Sequence, residues 1–380
     1  MNKLKIVLAS SFFYPRYGGV EYHVEGLAKT LKRLGHEVIV ITNSGSTGVE
    51  VYKGIPVIRI SFRSFGLLPA SKLLLNKFRG IYQNLSPDII HAHHAFSFLG
   101  LYSGKLAKEL SIPSVLTNHS LPPFYEGLEP FWKVIANGLS LHEPFKYIQY
   151  YDSVLSVSKI SAKFIAHFYR GKVLVIPNAI DISEFNIEAK RDELGIPEDV
   201  PVILTVGRAS PKKGFERALA AFHYVIKHIP NARLYVVGPS GRYLSWLKKL
   251  AQILRIEENV YFLGFVPRET LIKMYKIADV FLHAAYGGES FGIVLLEAMA
   301  AGKPIVATAG DGLKEILEKS NSGFCIESGN PMDISKAVIK LIKDPELRLR
   351  LGRNGKRFVE QFSWDKVAER ILTVYKSLIE

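Results

Sequence analysis

Two glutamates separated by seven residues, Glu289 and Glu297, carry the most chemical information in the sequence. The chain between them passes from polar residues through Gly292 into an apolar run of good helix formers, which predicts a loop feeding a helix N-terminus. Such an end presents free backbone N–H groups and a positive dipole to an anion. Glu297 falls inside the apolar run, where a carboxylate needs hydrogen-bond donors, and a pair of ribose hydroxyls would supply them. The alternative is an ordinary helix with one glutamate in a polar neighbourhood.

Two cations follow a predicted strand at residues 202–206. Arg208 and Lys213 come after Gly207, at what would be the carboxyl end of this strand. In open α/β sheets, ligands bind outside the carboxyl ends of the strands. Arginine grips phosphate as a fork and lysine as a point charge, so the pair suits a diphosphate. Ordinary solvated loop charge is the alternative.

In combination, these motifs resemble those of a known family. The sequence contains G-R-x4-K-G at 207–214, E-x-F-G-x4-E-A-M-A-x-G-x-P at 289–304, and G-G-V-E at 18–21. It resembles the family 4 retaining glycosyltransferases of the GT-B fold over nearly the whole chain. Within that family it is most similar to the catalytic subunit of the N-acetylglucosaminyltransferase that starts GPI anchors, and nearly as similar to the phosphatidylinositol mannosyltransferases. The segments that carry this closer similarity are 11–15, 18–21, 90–93, 117–120 and 176–181.

The resemblance implies catalytic roles for His119, Arg208, Lys213 and Glu289. The two cations would stabilise the leaving diphosphate, so that no metal and no other cofactor is implied. Glu289 would face the donor sugar, Glu297 would hold the ribose hydroxyls, and His119 would contact the transferred sugar or steady the reaction centre. The residues implied to bind the donor are Gly18, Gly19, Arg208, Lys213, Gly264, Phe265, Ser290, Phe291, Gly292, Ile293, Val294 and Glu297.

Two further groups of residues are ambiguous from the sequence. Gly18 and Gly19 precede a helical pattern, and glycines allow close approach of the backbone to a phosphate or a positive φ, but they do not form a G-x-G-x-x-G fingerprint. His91, His93 and His94 could suggest a metal cluster, yet no acidic or cysteine partner lies at ligand spacing. We therefore predict structural histidines and no metal site.

The length and the pattern of apolar runs predict an α/β protein of two domains. A chain of 380 residues with 48% apolar content is too long for one ordinary core. Short apolar runs alternate with helical patterns, as in parallel sheets with crossover helices. The expected architecture is GT-B, two Rossmann-like domains facing across a cleft. We place an acceptor-side domain at 1–183, a linker at about 184–200 and a nucleotide-sugar domain at 184–363, and the resemblance implies that a final helix at 364–380 packs back on the first domain. The predicted strands are 5–9, 37–42, 57–60, 88–91, 114–117, 153–157, 173–176, 202–206, 232–237, 260–263, 280–283, 304–308 and 323–326.

The net charge of +14 is concentrated in the first half of the chain. Residues 1–180 carry 20 Lys and Arg against 10 Asp and Glu, whereas the remainder carries 29 against 25. No known nucleic-acid motif accompanies this bias, and an anionic membrane surface, an acidic lipid or a generic lysine-rich surface would explain it equally. Residues 67–82 offer one such surface, because Leu74, Phe78, Ile81 and Tyr82 recur at helical spacing beside three cations; a core-packed helix is the alternative.

Compartment signals are few. The single cysteine, Cys325, cannot form an internal disulfide, and no run approaches the roughly 20 apolar residues that cross a bilayer. We expect a cytoplasmic protein, with peripheral attachment to the cytoplasmic membrane face as a variant of that expectation.

The resulting hypothesis is a retaining glycosyltransferase that moves one sugar from a UDP-sugar or GDP-sugar to a hydroxyl of a lipid or polyol acceptor. One alternative is an enzyme of the same fold that acts on a soluble sugar, sugar phosphate or glucan. Alternatives of another class are a dinucleotide-dependent oxidoreductase and a non-catalytic sugar-nucleotide-binding subunit, the former disfavoured by the missing G-x-G-x-x-G.

Overall fold

The computed structural model describes residues 3–16, 18–62, 71–122, 128–140, 142–143, 145–308, 310 and 312–380. It divides into an N-terminal unit, Met1–Ala179 with Trp364–Glu380, and a C-terminal unit, Ile180–Ser363. The division falls after Ala179 because the N–H of Ile180 donates to the carbonyl of Phe362 at 3.0 Å. The polar stretch expected to be a linker belongs to the C-terminal unit, where Phe185 is 2% exposed and its ring lies 6.2 Å from that of Tyr275.

The N-terminal unit contains one eight-stranded sheet in the order β3-β4-β2-β1-β5-β6-β7-β8. Its strands are β1 Lys5–Ser10, β2 Glu37–Ser44, β3 Gly48–Tyr52, β4 Ile55–Ser61, β5 Ile89–His93, β6 Ser114–Asn118, β7 Ser153–Ser156 and β8 Val173–Val175. Neighbouring strands are parallel except for β3, which pairs antiparallel with β4. The predicted strands do not include β3, because Val49 and Val51 on this edge strand are 77% and 72% exposed and form no continuous apolar run.

Helices cover this sheet on both faces. They are α1 Gly19–Arg33, α2 Lys72–Leu85, α3 Phe98–Leu110, α4 Glu129–Ser140 and α5 Lys159–Ile165, together with the C-terminal helix Trp364–Ile379. The C-terminal helix belongs to this unit: a Cβ at Gly26 of α1 would lie 2.1 Å from the indole of Trp364, so only glycine permits this packing. The hydroxyl of Tyr375 lies 2.6 Å from Nδ1 of His91.

The apolar side of α2 is part of the core. Phe78 and Tyr82 are 1% and 0% exposed, and Leu74 and Ile81 pack against the same cluster. The hypothesis that this side of α2 lies on a membrane is therefore wrong for Phe78 and Tyr82, which are buried in the core; Leu74 and Ile81 are partly buried against the same cluster. Residues 67–70 lie outside the described residues. Among the described residues, no helix is long and apolar enough to cross a membrane.

The C-terminal unit contains a parallel sheet in the order β11-β10-β9-β12-β13-β14. The strands are β9 Val202–Val206, β10 Arg233–Val237, β11 Val260–Gly264, β12 Val280–His283, β13 Ile305–Thr308 and β14 Gly323–Ile326. The helices are α6 Phe215–Ile226, α7 Gly241–Ile253, α8 Arg268–Ile277, α9 Ile293–Ala300, α10 Gly312–Ser320, α11 Pro331–Lys343 and α12 Pro345–Val359. The strand order reverses between β9 and β12. The loops that follow these two strands therefore flank the point where ligands of such sheets bind.

Candidate donor site and histidine cluster

The loops after β9 and β12 pack closely at the carboxyl edge of the C-terminal sheet. Gly214 has φ of 66°, and a Cβ there would lie 1.8 Å from the carbonyl oxygen of Ala284, so the approach requires glycine. The N–H of Tyr286 donates to the carbonyl of Lys212 at 2.9 Å. These contacts hold the two loops together.

The same two loops bring three predicted site residues together. Nζ of Lys213 donates to Oε2 of Glu289, and the two side chains are only 18% and 19% exposed. Arg208 is exposed at the end of β9, and its charge acts on the Glu289 carboxylate. Nε2 of His283, the last residue of β12, lies 3.9 Å from Oε2 of Glu289. Nothing in the sequence singles out His283, which ends an apolar run without any motif.

The charge states in this cluster follow from burial and from the cations. Burial raises the pKa of Glu289, but the charge and hydrogen bond of Lys213, together with the charge of Arg208, outweigh it, and the pKa lies below its ordinary value. Burial, with Lys213 adding to it, lowers the pKa of His283 to about 4, although Glu289 opposes the change. Near neutral pH the site therefore presents a carboxylate, a neutral imidazole and two cations.

The segment after Glu289 forms a loop that leads into the N-terminus of α9, as the sequence predicts. Gly292 has φ of 78°, and a Cβ there would lie 2.4 Å from Cδ2 of Leu313. Ile293 and Val294 form the first turn of α9, which has no side-chain cap, so their backbone N–H groups point out of the helix end. Phe291 anchors the loop: it is 4% exposed, and its ring lies 5.8 Å from that of Phe362. Ser290 is partly buried, and a Cβ at Gly312 would lie 2.8 Å from its carbonyl oxygen.

Glu297 is buried in α9 at 5% exposure, with two protein donors on its carboxylate. Nη1 of Arg268 donates to Oε1, and the hydroxyl of Tyr275 donates to Oε2 at 2.9 Å. Arg268 also binds Glu184 at 2.7 Å. Ribose hydroxyls are thus not required to satisfy this carboxylate, because Arg268 and Tyr275 satisfy it within the protein. Neither partner is evident from the sequence, since each lies more than 20 positions away.

Gly264 is the last residue of β11 and Phe265 follows it, beside the loop after β10. Gly264 has φ of 63°, and its carbonyl accepts a hydrogen bond of 2.7 Å from the N–H of Gly238. Phe265 is 64% exposed. The pair lies at the same sheet edge as Lys213, and its contact with a nucleobase stays a prediction.

Gly18 and Gly19 begin α1 after the loop that follows β1. Gly18 is the N-cap residue, with an extended φ of −177°, and Gly19 is the first helical residue. A positive φ, one of the two reasons we considered for glycine here, is therefore wrong at both positions. A Cβ at Gly18 would lie 2.6 Å from Oε2 of Glu21, the end of a flexible side chain that can move aside. The close approach of this backbone to a phosphate stays a prediction.

His119 lies in a cluster with His93 and His23 in the N-terminal unit. Nε2 of His119 is 3.3 Å from Nδ1 of His93, and the rings of His23 and His119 are 4.8 Å apart between centroids. Burial lowers the pKa of His93 and of His119 well below the ordinary value, so both rings are neutral. Burial likewise lowers the pKa of His23 to about 4, with the Asn178 side chain opposing. Nothing in the sequence singles out His23, which lies within the helical pattern of α1.

The cluster has the ligand atoms for a transition metal. One nitrogen from each of His23, His93 and His119 lies within 4.8 Å of the others, and neutral imidazoles are common metal ligands. The three histidines that we predicted to be structural lie in different surroundings. His93 belongs to the cluster with His23 and His119, whereas the ring nitrogens of His91 lie 2.6 Å from the hydroxyl of Tyr375 and 2.7 Å from that of Thr117. His94 lies 3.3 Å from the hydroxyl of Ser120.

Comparisons with known proteins cover both units. Residues 17–184 match the family described as Glycosyltransferase Family 4, and residues 186–358 match Glycosyl transferases group 1. The chain is 32% identical to an uncharacterized glycosyltransferase of Methanocaldococcus jannaschii, over 99% of both chains. It is 28% identical to the alpha-monoglucosyldiacylglycerol synthase of Acholeplasma laidlawii, over 99% of this chain and 98% of the relative. It is also 28% identical to a phosphatidylinositol N-acetylglucosaminyltransferase subunit of Arabidopsis thaliana, over 98% and 82%.

A solved structure of the same fold is HepE from Anabaena in complex with UDP-glucose. It has a TM-score of 0.77 and 22% identity, over 99% of this chain and 100% of that one. This likeness confirms the expected architecture of two Rossmann-like parallel sheets. Because a relative 32% identical matches the chain along its whole length, and the two family matches fall on its two units, the chain belongs to the family 4 glycosyltransferases of the GT-B fold.

Proposed function

We propose that this glycosyltransferase is a retaining enzyme that moves one sugar from a nucleoside diphosphate sugar to a hydroxyl of a lipid or polyol acceptor. The part of this proposal that concerns the sugar donor is supported by one observation, the arrangement of Arg208, Lys213 and Glu289 at the point where the strand order reverses. Retention of the anomeric configuration is supported by the family resemblance.

The two cations suit the leaving group. When the glycosidic C–O bond breaks, the bonding electrons go to the diphosphate, and preorganised cations are usually the largest contribution to stabilising such charge. Lys213 can serve the diphosphate without releasing Glu289, because an ammonium carries three N–H donors. Glu289, held anionic by its neighbours, is then placed to support positive charge that develops on the donor sugar.

The N-terminus of α9 is suited to bind a phosphate, and Glu297 is suited to bind the ribose hydroxyls of the nucleotide. Two partly buried residues at the uncapped start of α9, Ile293 and Val294, have N–H groups available to a phosphate. Arg268 and Tyr275 each donate to a different oxygen of Glu297, and a carboxylate offers about four acceptor positions. Ribose hydroxyls could therefore bind Glu297 while Arg268 and Tyr275 remain in place.

The similar proteins favour particular classes of sugar donor and of acceptor. HepE of the same fold binds UDP-glucose, which favours a UDP-sugar donor; a GDP-sugar remains the alternative. The names of two relatives specify a glucosyldiacylglycerol product and phosphatidylinositol, which favours a lipid acceptor over a soluble sugar or glucan. We assign His119 a role at the transferred sugar on the family resemblance.

The proposal is tested by donor binding and turnover together. Purified protein is screened with UDP- and GDP-sugars for thermal stabilisation; a ligand at 100 times its Kd adds about 2.7 kcal/mol. Sugar transfer from the best donor to diacylglycerol, phosphatidylinositol and free inositol is then measured by chromatography, and the anomeric configuration of the product by NMR. Stabilisation without transfer to any hydroxyl would favour the non-catalytic subunit, and an inverted product would refute retention.

A further inference from the structure

The N-terminal unit contains an apolar cavity beneath α4. Its volume is about 190 Å³, and the lining is entirely apolar: Phe96, Trp132, Ile135, Ala136, Leu139, Phe145, Phe164 and Phe168. An enclosed cavity of about 150 Å³ with such a lining stays dry and takes up small apolar molecules. This cavity is partly open to solvent, which gives an apolar group a way in. Its chemistry therefore fits a hydrocarbon group and excludes a sugar or a phosphate.

The helix that covers this cavity is also apolar on its outer side. Phe131 and Val134 of α4 are 56% and 72% exposed, and Leu128, immediately before the helix, is 47% exposed. Spaced three residues apart, these side chains form one stripe, which we call the outer stripe. A helix with apolar residues on both faces is unusual on a water-facing surface and is typical of burial or of contact with lipid.

Lysines flank the apolar lining. Lys133, Lys146 and Lys163 are exposed, and each is the sequence neighbour of a lining aromatic residue. Lysine can lay its apolar stem along hydrocarbon and keep its ammonium among anionic headgroups. Glu129 and Glu143 lie in the same part of the chain, but the three lysines leave a net positive charge, which is complementary to an anionic membrane surface.

We propose that the outer stripe contacts the acyl region of an anionic membrane and that the cavity beneath α4 accepts the end of a lipid acyl chain. This inference rests on the proposed function only in that a lipid acceptor would be presented at a membrane. It replaces the surface of α2 expected from the sequence, where Phe78 and Tyr82 are buried in the core and Leu74 and Ile81 pack against it.

Trp132 provides a direct readout because it lines the cavity. Vesicles of phosphatidylglycerol with dibrominated acyl chains should quench the fluorescence of the parent protein, relative to unbrominated vesicles. The Trp246→Phe variant should keep this quenching, since Trp246 lies in the C-terminal unit, and the Trp132→Phe variant should lose it. Equal bromine quenching in the parent and in Trp132→Phe would overturn the proposal.

A second experiment tests the outer stripe without relying on fluorescence. The double variant Phe131→Ser with Val134→Ser should bind phosphatidylglycerol vesicles at least tenfold more weakly in sedimentation. The matched control is Val49→Ser with Val51→Ser, which removes similarly exposed apolar side chains from β3 of the same unit. Unchanged binding in the stripe variant, or equal losses in both, would refute the proposal.

The lysines give the expected dependence on charge. Each of Lys133→Gln, Lys146→Gln and Lys163→Gln should weaken binding to phosphatidylglycerol vesicles on the order of fivefold, and rising salt should do the same to the parent. Thermal stabilisation by the donor is measured on every variant. Normal donor binding with no vesicle binding would refute this inference alone, whereas vesicle binding without any donor binding would refute the proposed function and leave the inference standing.

Discussion

Lys213 and Glu289 form an ion pair between side chains that lie 76 positions apart in the sequence. The pair joins the loops after β9 and β12, which the strand order brings side by side. Because it is mostly buried, it is less screened by salt than a surface pair. It holds a cation and a carboxylate in place in the site that we propose for the donor.

Removing Arg208 should lower turnover much more than stability, whereas removing Lys213 should lower both, because it leaves the Glu289 carboxylate without its ion-pair partner. We expect Lys213→Ala and Arg208→Ala to reduce kcat a hundredfold or more, on the order of 3 kcal/mol, because leaving-group charge loses its partner. Steady-state kinetics and thermal unfolding measure the two effects. Lys212→Ala is the matched control, since Lys212 is an exposed lysine beside Lys213. Near-normal turnover in both variants would remove the cations from the mechanism.

Glu297→Gln should weaken binding of the nucleoside diphosphate, because an amide is a poorer acceptor for two ribose hydroxyls. Calorimetric titration with UDP or GDP measures this. Tyr275→Phe is the informative companion, since it removes one protein donor from the carboxylate and leaves the charge. We expect Tyr275→Phe to lower stability while leaving affinity within a few fold. Unchanged affinity in Glu297→Gln would mean that this glutamate serves Arg268 and Tyr275 only.

The strands were predictable where a buried run of apolar residues is continuous, as in Val202–Val206, because both faces of a parallel sheet are covered. The cations after β9 were predictable because a strand end and a glycine fix their place. The edge strand Gly48–Tyr52 was not, since exposure on both sides leaves no apolar signature. At the unit boundary Ile180 bonds to Phe362 and pairs with Ser363, contacts that no local composition reveals.

The side chains that contact the site residues could not be predicted from the sequence either. Arg268 reaches Glu297 from 29 positions away, and His23 reaches His119 from a different element of the N-terminal unit. Hydrophobic periodicity gives the face on which a side chain lies but not the side chain that it meets. These contacts arise from the packing of helices over the sheet, and only the fold specifies them.

His119→Ala should impair sugar transfer and leave nucleotide affinity nearly intact, because His119 lies in the N-terminal unit, whereas Arg208, Lys213 and Glu297, to which we assign the nucleotide, lie in the C-terminal unit. Transfer rates with the true acceptor and calorimetry with the nucleoside diphosphate separate the two. His228→Ala, which changes an exposed histidine, serves as the control. A wild-type transfer rate in His119→Ala would refute the role that we assign it.

Chelation of metals should leave activity unchanged, because Arg208 and Lys213 supply the positive charge that a divalent ion would otherwise bring to the diphosphate. The test is turnover after dialysis against EDTA, with and without added Mg²⁺ or Zn²⁺. A loss that is restored by metal would contradict this prediction and direct attention to His23, His93 and His119.

The buried histidines should make the protein less stable as the pH falls below about 6.5. The folded-state pKa of His23 and that of His283 are about 4, below the ordinary value of 6.5, and those of His91, His93 and His119 are also lowered by burial. Between those values the unfolded chain binds protons that the folded chain does not, so the free energy of unfolding decreases as the pH decreases. His23 and His283 each account for at most about 3 kcal/mol of this change.

Urea unfolding at a series of pH values between 7 and about 5 measures how steeply the free energy of unfolding depends on pH. The His23→Gln variant should show a weaker dependence than the parent and than the exposed-site control His228→Gln. Identical slopes in all three proteins would show that His23 titrates alike in the folded and unfolded chains.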